Sequence, residues 1–323
     1  MKVPTSVRGV YADQAPIYER LEAEVITAFR ATMPKRWHFE SRVKTLESFC
    51  TKLETGRVVN PRCLEDFLGC TLVVPNALDI PKAIDMVEAL YTIQYRRPPV
   101  AGETKKNADT FRFDDLRLYC ARINDGTVPS QPFDDLTFEV QIKTFLQHAW
   151  AVATHDLSYK TDDVRWSKDR IVAHLKASIE YAELSIQEAD ALSRSNFLEL
   201  RHPRTTAIAT IVEAFKATWA PDELPSNLKS LAETLTDILY AAKIDAQTFS
   251  ALLEQEKSAR DGQMPMNVSP YGAAIQILVA HHRRSIEVML QNNRSPRLLL
   301  TPELNLPVDF PPARSAGQVV RLQ

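Results

Sequence analysis

Residues 138–160, FEVQIKTFLQHAWAVATHDLSYK, concentrate side chains that can carry chemistry. Glu139, Gln141 and Lys143 alternate with apolar residues, which predicts a strand with one polar face and one buried face. A carboxylate, an amide and an ammonium on one face can hold a cation, orient a polar ligand and bind a phosphate. An ordinary solvated outer face is the alternative interpretation of the same alternation.

A helix is predicted to follow this strand directly, because Thr144 and Gln147 have the spacing of a capping box. His148, His155 and Tyr159 then fall at i, i+7 and i+11, on one side of that helix. Polar and aromatic groups on two consecutive elements indicate a concave site. Two histidines on a helix bind zinc best at i, i+4, so the sequence disfavours zinc chemistry.

The pattern F-E-V-Q-I-K-T-x3-H-A-W-A-x3-H-D-x2-Y-K resembles the signature of the RelA/SpoT synthetase domain. That family shows E-[IV]-Q-[IV]-[RK]-T, then H-A-W, then H-x3-Y-K. The resemblance extends over about residues 38–195. It implies a nucleotidyltransferase-like fold and a stand-alone synthetase, which moves the β,γ-diphosphate of ATP to the 3′-hydroxyl of a guanosine nucleotide.

The resemblance also implies catalytic roles for two carboxylates on adjacent strands. Asp66, in LEDFLGCTLVV, matches the aspartate of the family motif D-x2-G-x-R and would bind Mg²⁺ together with Glu139. Carboxylate oxygens suit Mg²⁺, and Glu139 could in addition accept the proton of the attacking hydroxyl. Thr71 stands where the family motif has arginine.

An ATP-binding segment is implied by R-x-K-x3-S-x3-K, which appears here as Arg42, Lys44, Ser48 and Lys52. The last three lie at i, i+4 and i+8, so a helix over residues 42–55 would carry them on one face. Lys143 is the fifth implied ATP ligand. Cationic side chains can neutralise phosphates where no glycine loop is available.

The acceptor pocket is where the sequence departs from the family pattern G-Y-R-S-x-H, because RFDDLRL occupies that place. Phe113 aligns with the tyrosine that stacks on the acceptor base, Arg117 aligns with the histidine, and the glycine is absent at position 112. The residues expected to bind the acceptor are Phe113, Arg117, Gln141, His148, His155, Tyr159 and Lys160.

The chain as a whole has 323 residues and only eight glycines. These glycines form neither G-x-G-x-x-G nor a P-loop, which excludes both glycine-loop nucleotide sites. Hydrophobic periodicity predicts an α+β domain over residues 1–195 and an α-helical extension over residues 196–323. The resemblance implies that the sheet of the first domain is mixed and flanked by helices. The predicted helices cover 16–33, 79–95, 144–160, 165–193 and four further stretches between 204 and 291. Strands are predicted at 67–75, 111–123 and 136–143, and the segment 294–323 is expected to be extended.

A net charge of −2 argues against binding to duplex DNA. The four cysteines lack C-x-x-C spacing, and neither an apolar leader nor a membrane span is evident, so a cytoplasmic protein is expected. The expected ligands are ATP, Mg²⁺ and GDP or GTP.

Alternatives remain open at this point. A toxic relative would modify the 3′ end of tRNA or make adenosine alarmones, and the basic pairs at 96–97 and 105–106 and the run at 281–284 could contact RNA. A non-catalytic module that binds a nucleotide or a partner protein is the third possibility. A homo-oligomer or an antitoxin partner is compatible with each.

Overall fold

A computed structural model describes residues 1–56, 58, 60–62, 64–100, 116–123, 131–158, 165–195 and 201–322. The chain divides into two compact units, Met1–Leu198 and Glu199–Gln323. The described part has the predicted class, a five-stranded mixed sheet with helices followed by a helical C-terminal region. Among the described residues, no helix is both long enough and apolar enough to cross a membrane.

The N-terminal unit alternates helices and strands. Its elements in chain order are α1 (Thr5–Thr32), β1 (His38–Val43), α2 (Leu46–Glu54), β2 (Leu68–Val74), α3 (Ile80–Leu90), β3 (Tyr91–Arg97), β4 (Leu116–Arg122), β5 (Phe138–Thr144), α4 (Phe145–Ser158), α5 (Trp166–Gln187) and α6 (Ala189–Ser193). The strand order is β1-β2-β5-β4-β3, in which β2 and β5 run parallel and the other neighbours run antiparallel.

One face of this sheet is apolar and buries the core of the unit. Phe138, Val140 and Ile142 of β5 lie in one cluster with the buried side of α1, which includes Tyr18 and Phe29. Burying these side chains provides most of the driving force for the fold, at about 1.5–3 kcal/mol per large apolar side chain. The opposite face is therefore left for polar groups.

The helix predicted over 16–33 begins earlier, at Thr5. Two other helices were predicted to cover residues that form strands. Residues 38–43 form β1, so the helix predicted over 42–55 begins only at Leu46, after Thr45 as its N-cap. Residues 91–97 form β3, whereas the helix was predicted to run to 95. In both places side chains of alternating burial join a sheet, and this tertiary pairing outweighs the local helical spacing.

The C-terminal unit is built from α7 (Pro203–Thr218), α8 (Leu228–Ala242), α9 (Ala246–Ala259) and α10 (Pro270–Leu290). The tail beyond 294 includes two short parallel strands, β6 (Leu298–Leu300) and β7 (Val319–Arg321). A mostly apolar cavity of about 690 Å³ lies where α7, α8 and α9 meet, and Tyr240 is at its edge.

The predicted capping box at the start of α4 is confirmed. The Gln147 amide N–H donates to Thr144 Oγ1 at 3.1 Å, and the Thr144 amide N–H donates to Gln147 Oε1 at 3.2 Å. Thr144 is fully buried, and its hydroxyl also donates to Glu183 of α5. This residue thus fixes the turn from β5 into α4 and ties α5 to it.

We expect Thr144→Ala to lower the free energy of unfolding by about 1–2 kcal/mol, because it removes an N-cap and leaves a buried carboxylate unpaired. Thr144→Ser keeps the hydroxyl and should lose less. Urea denaturation followed by circular dichroism measures both. Thr27→Ala, at an exposed site on α1, is the control, and an equal loss there would contradict the capping role.

Candidate active site

Strand register brings the polar side chains of the sheet into cross-strand rows. The first row runs from Arg42 through Gly69, Glu139 and Tyr119 to Tyr95, and the next from Glu40 through Thr71, Gln141 and Arg117 to Arg97. Residues directly opposite each other in a sheet point to the same side. We call the face formed by these two rows, with His38 and Lys143 beyond them, the polar sheet face.

Glu139 is the buried carboxylate at the centre of this face, with an exposed fraction of 4%. The Tyr119 hydroxyl donates to its Oε2 at 2.9 Å, and the Gln141 amide donates to its Oε1. The Arg117 guanidinium lies 3.6 Å from Oε2. A buried charge needs such partners, so the site is built to keep a carboxylate in place.

Two stacked tyrosines lie beside Glu139. The rings of Tyr95 and Tyr119 are 4.3 Å apart and nearly parallel, and the Arg97 guanidinium lies over both. Burial, followed by the charge and hydrogen bond of Glu139, raises the pKa of Tyr119 to about 12. Tyr119 therefore keeps its proton at neutral pH and acts as a donor to Glu139.

Asp66, two residues before β2, is held by two lysines. Lys44 Nζ and Lys52 Nζ donate to its Oδ2 at 3.3 and 3.0 Å. Burial raises the pKa of the Asp66 carboxyl, but the two ammonium groups outweigh this effect and the pKa is lowered overall. Asp66 is accordingly a carboxylate at neutral pH.

The second oxygen of Asp66 is the atom that could bind a metal ion. Oδ1 is buried and has no hydrogen-bond partner within the described part of the chain. A buried carboxylate oxygen without a donor is costly unless a cation or a ligand donor completes it. An oxygen of this kind fits Mg²⁺, which prefers carboxylate oxygens and keeps several waters.

The loop that carries Asp66 contacts the polar sheet face. The Tyr95 hydroxyl donates to Glu65, the neighbour of Asp66, while Tyr95 stacks on Tyr119, the donor to Glu139. Gly69, three residues after Asp66, is opposite Glu139. A Cβ built on Gly69 would meet no atom within 4 Å, so among the described residues nothing packs on the face at this position.

Among the predicted ATP ligands, the structure brings Lys44 and Lys52 together on Asp66, but not on one helix face. Lys44 follows β1 directly and only Lys52 is on α2, so the convergence comes from the corner between the two elements. Arg42 is exposed on β1, and the Ser48 hydroxyl accepts from Thr45 at the start of α2.

The predicted acceptor residues are only partly within the described atoms. Arg117 and Gln141 both contact Glu139. His148 is half-buried on α4, and its Nδ1 lies 4.0 Å from Glu40 Oε1. His155 belongs to α4, but its side chain is outside the described atoms, and Phe113, Tyr159 and Lys160 are outside the described residues.

Tyr95, Arg97 and Tyr119 lie at the site but were not among the predicted site residues. Tyr119 follows Arg117 at i+2 on β4, so the alternation of that strand could have placed both on one face. Tyr95 was hidden because residues 79–95 were predicted as a helix, and Arg97 was considered only as a possible RNA contact.

Residues 41–164 match the family model described as the region found in RelA / SpoT proteins. The matched region, which resembles the region found in RelA / SpoT proteins, contains both Asp66 and Glu139. A comparison with curated protein sequences gave no match.

The solved structures that resemble the chain include two from Bacillus subtilis and one from Streptococcus pneumoniae. Small alarmone synthetase 1 from Bacillus subtilis bound to its product pppGpp is 16% identical over 58% of this chain and 97% of that one, with a TM-score of 0.43. Small alarmone synthetase 2 from Bacillus subtilis is 18% identical over 56% and 95%, with a TM-score of 0.41. A GTP pyrophosphokinase family protein from Streptococcus pneumoniae is 17% identical over 60% and 89%, with a TM-score of 0.39.

The lowered pKa of Asp66 predicts how the free energy of unfolding depends on pH. Because its pKa is lower in the folded chain than in the unfolded chain, its ion pairs stabilise the fold above the ordinary titration range of aspartate. That contribution is lost as the pH falls through the lowered pKa. Asp66→Asn should therefore cost roughly 1 kcal/mol near neutral pH and nothing in acid.

Urea denaturation of the wild type and Asp66→Asn over a series of pH values measures this difference. Asp85→Asn, at an exposed site on α3, is the matched control. A difference that stays constant, or grows towards acid pH, would show that the lysines do not stabilise the Asp66 carboxylate.

Proposed function

We propose that the RelA/SpoT-type domain transfers the β,γ-diphosphate of ATP to the 3′-hydroxyl of a guanosine nucleotide and releases AMP. The main support for the proposal is that two carboxylates, Asp66 and Glu139, are kept in place by hydrogen bonds and ion pairs. Glu139 is fixed by Tyr119 and Gln141 on the polar sheet face, while Asp66 is fixed by two lysines and keeps one buried oxygen without a partner. The match of residues 41–164 to RelA / SpoT proteins supports it.

Phosphates would be bound by side chains in this mechanism. Lys44 and Lys52 carry ammonium groups at the Asp66 corner, and Arg42 is exposed on the neighbouring edge strand. Phosphoryl-type transfer depends on positioning and on neutralising the charge of the transferred group. Cations that already converge on one place supply this neutralisation without reorganisation during the reaction.

Mg²⁺ is the cofactor that the donor set fits, with Asp66 Oδ1 and the Glu139 carboxylate as the groups that would hold it. When bound, Mg²⁺ supplies charge neutralisation for the phosphates. Asp66 contributes an anionic oxygen whose charge is balanced by Lys44 and Lys52. The lysines keep that carboxylate in place, because loss of either would leave part of a half-buried charge unpaired.

Glu139 would also accept the proton of the attacking hydroxyl. Its two oxygens already accept from Tyr119 and Gln141, so the carboxylate is fixed in orientation before the substrate arrives. Tyr119 cannot compete as the base, because its raised pKa keeps its own proton in place. The face beside Glu139 at Gly69, where no described residue packs, gives the hydroxyl a place to approach.

The acceptor would lie towards β4 and β3. The Arg117 guanidinium lies beside Glu139, and the Arg97 guanidinium lies over the stacked tyrosines as a planar cation. Guanidinium groups bind phosphates in a bidentate manner and stack on bases. This end of the polar sheet face therefore suits a nucleoside diphosphate or triphosphate as the acceptor.

The basic run at 281–284 gives the tRNA alternative little support. Arg283 pairs with Glu287 and Asp309, and His281 contacts Glu256, all inside the C-terminal unit. These two side chains are occupied by acidic partners, and the basic pair at 105–106 lies outside the described residues. The tRNA acceptor and the adenosine acceptor are therefore kept as outcomes of the assay.

The assay incubates the purified chain and Mg²⁺ with ATP labelled on the γ-phosphate, and offers GDP, GTP, AMP and deacylated tRNA in parallel. We expect label on GDP or GTP. Glu139→Gln should lower the transfer rate by at least about 100-fold, because it removes the base and one metal ligand. Asp85→Asn, away from the polar sheet face, serves as the variant with unchanged activity.

Label on tRNA or AMP would replace the guanosine acceptor but keep the diphosphate transfer. If no acceptor is labelled, and Glu139→Gln and the wild type bind ATP equally, the proposed enzymatic activity is overturned. That result would favour a non-catalytic binding module.

A further inference from the structure

Two histidines and a glutamate meet at one edge of the polar sheet face. His38, Glu40 and His148 each offer one ligand atom, and these atoms all lie within 4.8 Å of one another. His148 Nδ1 is 4.0 Å from Glu40 Oε1, and the two imidazole rings are 5.9 Å apart between centroids. Side-chain atoms at this separation can close on one ion with small rotations.

The fold fixes the backbone of all three positions. His38 and Glu40 are at i and i+2 on β1, so they project from the same face of the sheet. His148 is in the first turn of α4, which the capping box at Thr144 anchors to the end of β5. His148 and His155 lack the spacing of a zinc pair on their helix, whereas His38 comes from a strand more than a hundred residues earlier.

We propose that His38, Glu40 and His148 form a binding site for a first-row divalent transition metal ion, represented by Zn²⁺. Imidazole nitrogens with one carboxylate oxygen suit Zn²⁺, while the carboxylates Asp66 and Glu139 suit Mg²⁺. Three protein ligands leave a coordination position open for water or a ligand oxygen, as in zinc sites that are not purely structural.

Exposure and charge are compatible with this ion. His38 and Glu40 are exposed and His148 is half-buried, so an ion can reach the site from solvent. Lys143 is in the same cross-strand row as His38 and its charge opposes a cation, while the carboxylate of Glu40 offsets that charge. The site does not depend on the proposed reaction.

The experiment titrates the whole chain with Co²⁺ as a spectroscopic probe and then displaces it with Zn²⁺. We expect one equivalent of Co²⁺, visible d–d bands, and no thiolate-to-cobalt charge-transfer band. Zn²⁺ should remove the bands and raise the melting temperature of the wild type, because it binds the folded state. No bound Co²⁺, or a thiolate band, would overturn the proposal.

His38→Gln and Glu40→Gln locate the site. Each should weaken Co²⁺ and Zn²⁺ binding by about 100-fold or more, since even supporting residues of metal sites cost 10–100-fold. Their melting temperatures without metal should equal that of the wild type, which separates loss of a ligand from loss of the fold. His174→Gln, at an exposed histidine of α5, should bind as the wild type does. Unchanged binding in both test variants would overturn the proposal.

Discussion

The parallel pairing of β2 with β5 is the constraint on which the candidate site depends. Gly69 is opposite Glu139 in this pair, and each is the second residue of its strand. Since parallel strands begin at the same edge of a sheet, the loop with Asp66 and the start of β5 with Glu139 must arrive at the same edge. A slip of one residue would turn Glu139 into the apolar core, so burial of Phe138 and Val140 also fixes the carboxylate.

Charge balance follows from this geometry. The polar sheet face carries its carboxylates and its cations on neighbouring elements, with Asp66 between two lysines and Glu139 beside Arg117. A chain with so few glycines cannot bind phosphates through a glycine loop. In the proposed nucleotide site, side chains would supply the positive charge instead, and Asp66 holds two of them, Lys44 and Lys52, in place.

The elements around Glu139 could be predicted from sequence because each signal is local. The alternation in 138–143 and the capping box at Thr144 depend on residues a few positions apart, and both are present in the structure. The resemblance supplied Asp66, which local spacing alone would leave as a turn residue. Its two lysines were identified, although through a helix that begins later than predicted.

The rest of the site depends on pairing between distant segments. Tyr95 and Arg97 come next to Tyr119, the donor to Glu139, only through the pairing of β3 with β4, and residues up to 95 were predicted as helix. His38 meets His148 because β1 is the edge strand and α4 follows β5. Neither juxtaposition has a short-range signal, since tertiary contacts decide both.

The most direct test of the account is the position of Mn²⁺, by anomalous scattering, in crystals of the chain grown with a non-hydrolysable ATP analogue. The account predicts a manganese peak bonded to Asp66 Oδ1 and adjacent to the Glu139 carboxylate, with phosphates of the analogue at Lys44 and Lys52. An analogue bound away from the polar sheet face, or manganese in contact with neither carboxylate, would contradict it.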